Sequence, residues 1–145
     1  MRFLGNTFQF RELIEANGLQ RFVARVPVGW IDDMRRRHED LVRDTRVASD
    51  HETLASRTKV LEDAFHGSFV GVYENRQIAT SYARLMQKMY LLRLLNPDAV
   101  GPENTVRAML EHLAIIDAIG AGDAAAASAA LRGHFRNVLH RILAE

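Results

Sequence analysis

Apolar residues recur at intervals of three and four through almost the whole chain, and this spacing constrains the fold most strongly. It is clearest in one run of the sequence, which comprises Ile78, Tyr82, Leu85, Met89 and Leu92. Such steps place side chains along one face of a helix, whereas a half-buried strand would alternate apolar and polar residues. The sequence therefore predicts an all-α protein.

Six helices follow from this spacing and from the residues that begin and end helices. The predicted segments are about 8–22, 30–46, 49–75, 78–96, 102–120 and 124–143. The first is expected to break near Gly18, a capping box of Ser49 and Glu52 should begin the third, and Asp123 should cap the last. Gly67, inside the third helix, is expected to allow a close helix approach. Short connections predict a single domain over 1–145, an antiparallel bundle of about six helices.

Composition excludes several classes of protein. With 48% hydrophobic residues in 145, the chain is long enough to bury a substantial core. Its net charge of +1 lacks the strong basic excess of an autonomous nucleic-acid binder. Its apolar stretches are short and interrupted by charge, which argues against a membrane segment or a secretory signal. We therefore expect a cytoplasmic protein.

Four potential metal ligands stand on three of the predicted helices. Glu62 and His66 are four residues apart and project from one helix face, while His112 and His134 fall on or beside later apolar stripes. A buried imidazole without a partner costs about 1–3 kcal/mol, and a shared ion would satisfy all of them. Asp63 is a substitute for Glu62, because it also reaches the face of His66. Since the chain has no cysteine, imidazole and carboxylate are its available strong ligands, which suit Zn(II) or Ni(II).

Other interpretations of these residues remain open. A single histidine on a half-apolar face is more often a hydrogen-bonded core residue, so a metal-free structural bundle is one alternative. His38 in a charged run, His51 at a helix start and His140 near the end are expected to be solvated. A metal-dependent enzyme is the second alternative, although the sequence lacks a phosphate-binding loop and the common hydrolase motifs. A ferritin-like di-metal centre is excluded because no Glu-x-x-His occurs.

Several segments share their order and spacing with one known family: Leu61 to His66, Asn75, Glu111 to Ile119 with Gly122 and Asp123, and His134 with Phe135. This combination resembles the FCD domain, the effector-binding half of FadR-subfamily GntR transcription regulators. The resemblance extends from about Phe8 to the C-terminus. It implies an all-helical bundle that binds an effector and is not an enzyme.

The resemblance also implies a metal site and its partners. In the family, an Asp-x-x-x-His pair and two later histidines bind a divalent metal, and a small carboxylate effector often lies against it. His66, His112 and His134 match the family histidines, whereas Glu62 stands at the aspartate position.

On this basis, Arg93 or Arg57 is a candidate to bind the effector carboxylate, and Tyr82 and Asn75 are candidates to add hydrogen bonds. The family further implies a homodimer that contacts DNA only through an N-terminal winged helix-turn-helix, which is expected to be absent from this chain. The basic run from Arg35 to Arg37 is expected to be a solvated helix face, because acidic residues interrupt it.

Overall fold

The computed structural model describes residues 2–47 and 49–143, and it is helical through most of them. The elements are α1 (Arg2–Val23), α2 (Trp30–Val47), α3 (His51–Gly71), α4 (Arg76–Leu95), a 3-10 helix (Pro97–Val100), α5 (Pro102–Gly120) and α6 (Ala124–Leu143). The described residues contain no strand, so the predicted all-α bundle of six helices is confirmed. None of the described helices is long and apolar enough to span a membrane.

All six helices contribute to one apolar core. Helix α5 packs against α2 and α6, and α1 packs against α3 and α6. The most deeply buried large apolar side chains are Leu19, Leu41, Phe65, Phe69, Met89, Met109, Ile115, Ile116 and Leu131. Each side chain of this size contributes about 1.5–3 kcal/mol when removed from water. Helix α4 packs on α3 and on the adjoining 3-10 helix and buries only Tyr82 and Met89, so it is the least embedded of the six.

The expected helix break at Gly18 is wrong, because α1 continues through it to Val23. Gly18 lies where α1 crosses α3, and a Cβ atom there would overlap the carbonyl oxygen of Phe69. The glycine therefore permits a close approach of the two helices, and burial of Leu19 and Phe22 beside it offsets a helix cost of about 1 kcal/mol. The close approach expected at Gly67 is absent, since a Cβ there would have no neighbour within 4 Å outside its own helix.

The beginning of α3 differs from the predicted capping box by one residue. Asp50, and not Ser49, is the N-cap, because its Oδ1 accepts a hydrogen bond of 3.2 Å from the backbone N–H of Thr53. The other oxygen, Oδ2, accepts a bond of 2.6 Å from the Thr53 hydroxyl. One oxygen of Asp50 thus satisfies a free N–H group of the helix end, and the other binds the Thr53 side chain.

Two further caps set the beginnings of α4 and α6. Asn75 lies beyond α3 and caps α4, since its Oδ1 accepts from the backbone N–H groups of Gln77 and Ile78 at 2.9 and 3.1 Å. Asp123 caps α6 as predicted, because its Oδ1 accepts from the N–H of Ala126 at 2.9 Å.

Candidate metal centre

Three of the four predicted ligands meet inside the bundle. His66 of α3, His112 of α5 and His134 of α6 each offer a ring nitrogen, and these atoms all lie within 4.8 Å of one another. The three side chains are buried, with residue exposures of 5%, 0% and 4%. Within the described part of the chain, these three histidines are the potential ligands that lie close enough together to hold one ion.

Helical spacing explains why imidazoles point inward at these positions. His66 follows Phe65 on the buried side of α3, His112 lies three residues after Met109, and His134 lies three after Leu131. Phe65 stacks on the ring of His112, with centroids 4.2 Å apart and planes inclined by 16°. The apolar stripes that build the core therefore also carry the histidines to its centre.

A carboxylate of α1 supports His66. Glu15 is fully buried, and its Oε1 lies 2.5 Å from Nδ1 of His66. Its Oε2 accepts hydrogen bonds from Arg11 Nε at 2.8 Å and from the Tyr82 hydroxyl at 2.9 Å. Burial would raise the pKa of Glu15, but the charges of Arg11 and His66 outweigh it and hold the pKa at about 2. An ionised Glu15 can only accept, so His66 donates the hydrogen on Nδ1, and Nε2 is the ring nitrogen that remains for a metal.

A second carboxylate, from α5, supports His134. Glu111 Oε1 accepts a hydrogen bond of 2.7 Å from His134 Nδ1, and the carboxylate also accepts bonds from Arg141 and Asn137. Burial would raise the pKa of Glu111, but these hydrogen bonds lower it to about 2. Burial lowers the pKa of His134 to about 4, so the ring is neutral at pH 7 and its lone pair lies on Nε2.

The third ring, His112, contacts a fourth histidine. His38 Nε2 lies 3.0 Å from His112 Nδ1, and His38 is fully buried. The expectation that His38 is solvated is therefore wrong. Its neighbours in sequence are charged, but it shares a helix face with Met34 and Leu41, and that face packs in the core. On the opposite side of the ring, His112 Nε2 lies 3.1 Å from His134 Nε2.

Neither predicted carboxylate ligand belongs to this group. Glu62 Oε2 pairs with Arg93 Nη1 at 2.5 Å, and both side chains are about one-fifth exposed. Burial would raise the pKa of Glu62, but the charge and hydrogen bond of Arg93 lower it. Asp63 is exposed and pairs with Lys59 at 2.6 Å, so it does not face the histidines.

A cavity of about 360 Å³ leads to the centre, and His66, His134, Arg11, Glu62, Arg93 and Arg141 are among its lining residues. A second cavity of about 670 Å³, between α3 and α4, is also lined by Glu62, His66 and Arg93. The Glu62–Arg93 ion pair therefore borders both spaces. Their sizes match those of small-molecule sites.

Comparison with known proteins assigns the family. The model of the FCD domain matches residues 6–137. The chain belongs to the FCD domain family. This confirms the resemblance inferred from the sequence.

A solved structure described as "Metal-free FCD domain of TM0439 a putative transcriptional regulator" is similar to this FCD domain. The TM-score is 0.77 at 20% sequence identity, covering 98% of this chain and 92% of that one, and such a likeness shows the fold. No curated protein matches the chain.

The residues predicted to bind an effector occupy different places in the FCD domain. Arg93 lines both cavities, and Tyr82 lines the larger one, where its hydroxyl is committed to Glu15. Arg57 is exposed and pairs with Asp44 at 3.0 Å, and Asn75 is committed to capping α4. Neither Arg57 nor Asn75 lines these two cavities.

Sequence reasoning missed three polar residues that support the histidines, namely Glu15, His38 and Glu111. A signal existed for each of them. Glu15 follows Arg11 by four residues on the buried stripe of α1, His38 follows Met34 by four on that of α2, and Glu111 directly precedes His112. A polar residue at stripe spacing needs a buried partner, and that partner is often functional.

Proposed function

We propose that this FCD domain binds a divalent metal ion through His66, His112 and His134 and acts as the effector-binding domain of a transcription regulator. The single observation that carries the proposal is the convergence of three buried imidazoles, two of which are held from behind by ionised carboxylates. Such carboxylate–histidine pairs orient metal ligands in many metalloproteins.

The donor set fits a metal of the zinc type. Zn–N bonds of about 2.0–2.1 Å at a tetrahedral angle place two nitrogens roughly 3.3 Å apart. His112 Nε2 and His134 Nε2 are 3.1 Å apart, and the third nitrogen lies within 4.8 Å of both. Burial lowers the pKa of His112 and of His134, so both are neutral and able to coordinate at pH 7. Three imidazoles suit Zn(II) or Ni(II).

Glu62 is the proposed fourth ligand, and its partner Arg93 connects the metal to an effector. In the structure, Arg93 holds the Glu62 carboxylate. A small organic acid that binds Arg93 through its own carboxylate takes the place of Glu62 and releases it toward the histidines. Effector and metal then strengthen each other's binding by the same factor, as linkage requires.

The regulatory role rests on family membership and on a neighbour that is described as a transcriptional regulator. In our proposal, two copies form a homodimer, and the effector shifts the dimer between two arrangements by no more than its difference in affinity for them. A winged-helix segment joined to the domain contacts DNA. The effector is bound as a signal and is not turned over.

Metal content and melting temperature test the metal site. The native protein is expected to carry one Zn(II) or Ni(II) per chain and to lose thermal stability with a chelator, because an ion that binds only the folded state stabilises it by about 2.7 kcal/mol at 100 times its Kd. The His112→Ala, His134→Ala double variant should bind none. The matched control is His140→Ala, which removes an exposed histidine. Equal metal stoichiometry in the native protein and the double variant would remove the site.

Two pairs of variants test the remaining assignments. Glu62→Gln should weaken metal binding, whereas Asp63→Asn should leave it unchanged. Arg93→Ala should abolish the thermal shift caused by a panel of small mono- and dicarboxylic acids, and Arg57→Ala should preserve it. The proposed roles would be contradicted if Asp63→Asn lost metal binding while Glu62→Gln kept it. They would also be contradicted if Arg57→Ala lost the thermal shift while Arg93→Ala kept it.

One observation favours a second candidate, a metal-free structural cluster. The 3.1 Å between His112 and His134 is also a hydrogen-bond distance, and it fits a bond if His112 carries its hydrogen on Nε2. This candidate predicts no bound metal and no effect of a chelator.

A further inference from the structure

We infer that His38 is a positioning residue that fixes the tautomer of His112, keeping the hydrogen on Nδ1 and leaving Nε2 of His112 bare as a metal ligand. The inference deepens the proposed function and rests on it. It concerns the choice between the metal site and the metal-free cluster, because that choice depends on which nitrogen of His112 carries the hydrogen.

The ring of His38 is hydrogen-bonded to its own helix. Its Nδ1 lies 2.7 Å from the carbonyl oxygen of Met34, one turn earlier in α2. A carbonyl oxygen can only accept, so His38 carries a hydrogen on Nδ1. Because a neutral imidazole has one N–H, the Nε2 atom of a neutral His38 is an acceptor.

The surroundings of His38 disfavour a charge on its ring. The ring is fully buried, its two nitrogens contact a carbonyl oxygen and another imidazole, and it packs edge to face with Phe65. Neither of its hydrogen-bonding partners is a carboxylate that could balance an imidazolium. A neutral ring is therefore the stable form.

His38 determines the direction of the hydrogen bond that it shares with His112. Since Nε2 of His38 accepts, the partner atom 3.0 Å away must donate, and that atom is Nδ1 of His112. Nε2 of His112 then has a lone pair and faces the lone pair of His134 Nε2 at 3.1 Å. Two lone pairs at this distance repel each other unless a cation lies between them, which is the arrangement of metal ligands.

Phe65 holds both rings in the orientation that this relay needs. The ring of His112 stacks on it at 4.2 Å, and the ring of His38 meets it edge to face at 5.2 Å and 71°. The three candidate ligands thus have three supports on three helices: Glu15 of α1, Glu111 of α5 and His38 of α2. Each support accepts the Nδ1 hydrogen of its histidine.

Nitrogen NMR of the metal-free native protein tests the tautomer directly. The imidazole of His112 is expected to show its hydrogen on Nδ1, with Nε2 unprotonated. A hydrogen on Nε2 of His112 would overturn the inference, and it would do so without any variant.

Zinc affinity of two His38 variants provides the second test, measured by competition with a chromophoric chelator. His38→Leu removes the acceptor and should weaken zinc binding 10- to 100-fold, the usual effect of losing a support behind a ligand. His38→Gln can place its Oε1 near the lost Nε2 and should bind zinc within about threefold of the native protein. If both variants bind zinc as tightly as the native protein and only melt earlier, His38 is a core residue and the inference fails.

Failure of this inference and failure of the proposed function give different results. If the native protein binds no zinc or nickel, the proposed function fails. The inference then fails too, because His112 is not a metal ligand. If the native protein binds zinc and His38→Leu binds it equally well, only the inference fails. Should His38→Leu not fold, His38→Gln and the NMR measurement on the native protein decide.

Discussion

Replacing Glu15 by leucine should strongly destabilise the domain, because three buried donors share that carboxylate. Arg11, His66 and Tyr82 each donate to it, at 2.8, 2.5 and 2.9 Å, and all three are at most 9% exposed. Leucine has a similar volume, so the change removes the interactions without leaving a large cavity. The guanidinium of Arg11 would stay charged, packed over the ring of Phe135 at 4.6 Å, with no carboxylate beside it.

The magnitude follows from these contacts. Breaking a buried ion pair by removing one partner costs about 3–5 kcal/mol. Stabilities of single domains are about 5–15 kcal/mol, so the loss is a large fraction of the total. For a chain of this length it should lower the melting temperature by about 10–15 °C.

A double-mutant cycle separates the charge from the packing. The Arg11→Met, Glu15→Leu double variant should lose only about 1–3 kcal/mol, since no guanidinium is left without its carboxylate and the remaining loss comes from the unsatisfied donors of His66 and Tyr82. The assay is urea unfolding followed by circular dichroism, with a chelator present so that metal binding does not contribute. Purely additive losses in the two single variants, or a loss below about 1 kcal/mol in Glu15→Leu, would refute the reasoning.

Three further predictions concern glycines, a helix cap and the second carboxylate. Gly18→Ala should cost about 3 kcal/mol in urea unfolding, because its Cβ overlaps a backbone carbonyl, whereas Gly67→Ala, which meets no neighbour, should stabilise α3 by about 0.5–1 kcal/mol. Asp50→Ala should lower the unfolding free energy by about 1 kcal/mol and Ser49→Ala by less than half as much; equal effects would place the cap elsewhere. Glu111→Gln should weaken zinc binding 10- to 100-fold in chelator competition, and unchanged affinity would contradict its support of the metal centre.

The helices were largely predictable, because burial on one side of a helix repeats every three to four residues whatever the partner is. The periodicity does not reveal which atom of another helix lies against a given residue. Gly18 therefore resembled a helix breaker until the Phe69 carbonyl was seen against it. His38 was misjudged for a different reason, since its charged neighbours in sequence were given more weight than Met34 and Leu41 on its own face.

The site was predictable in part for the same reason. The histidines were visible as polar residues on apolar stripes, and their convergence requires only that three helices share one core. The role of Glu15 was not visible despite its place on the buried stripe of α1, because its partner His66 lies 51 residues away and its pairing with Arg11 looks like an ordinary i, i+4 ion pair of an exposed helix. Glu62 was predicted to be a ligand from its spacing relative to His66. Spacing gives the helix face, but it does not reveal that Arg93 of the next helix pairs with Glu62.

Because α4 buries few side chains, it should open locally more often than the other helices. Its twenty residues are held by two buried side chains and by packing on α3 and the adjoining 3-10 helix, while Leu91, Leu94 and Leu95 face water. Opening this helix alone exposes little new surface, so its amide hydrogens should exchange with solvent through local fluctuations, long before those of α5. Since Arg93 belongs to α4 and Glu62 to α3, each such opening also separates the ion pair that borders both cavities. The same fluctuation that loosens the helix would therefore admit a small anion.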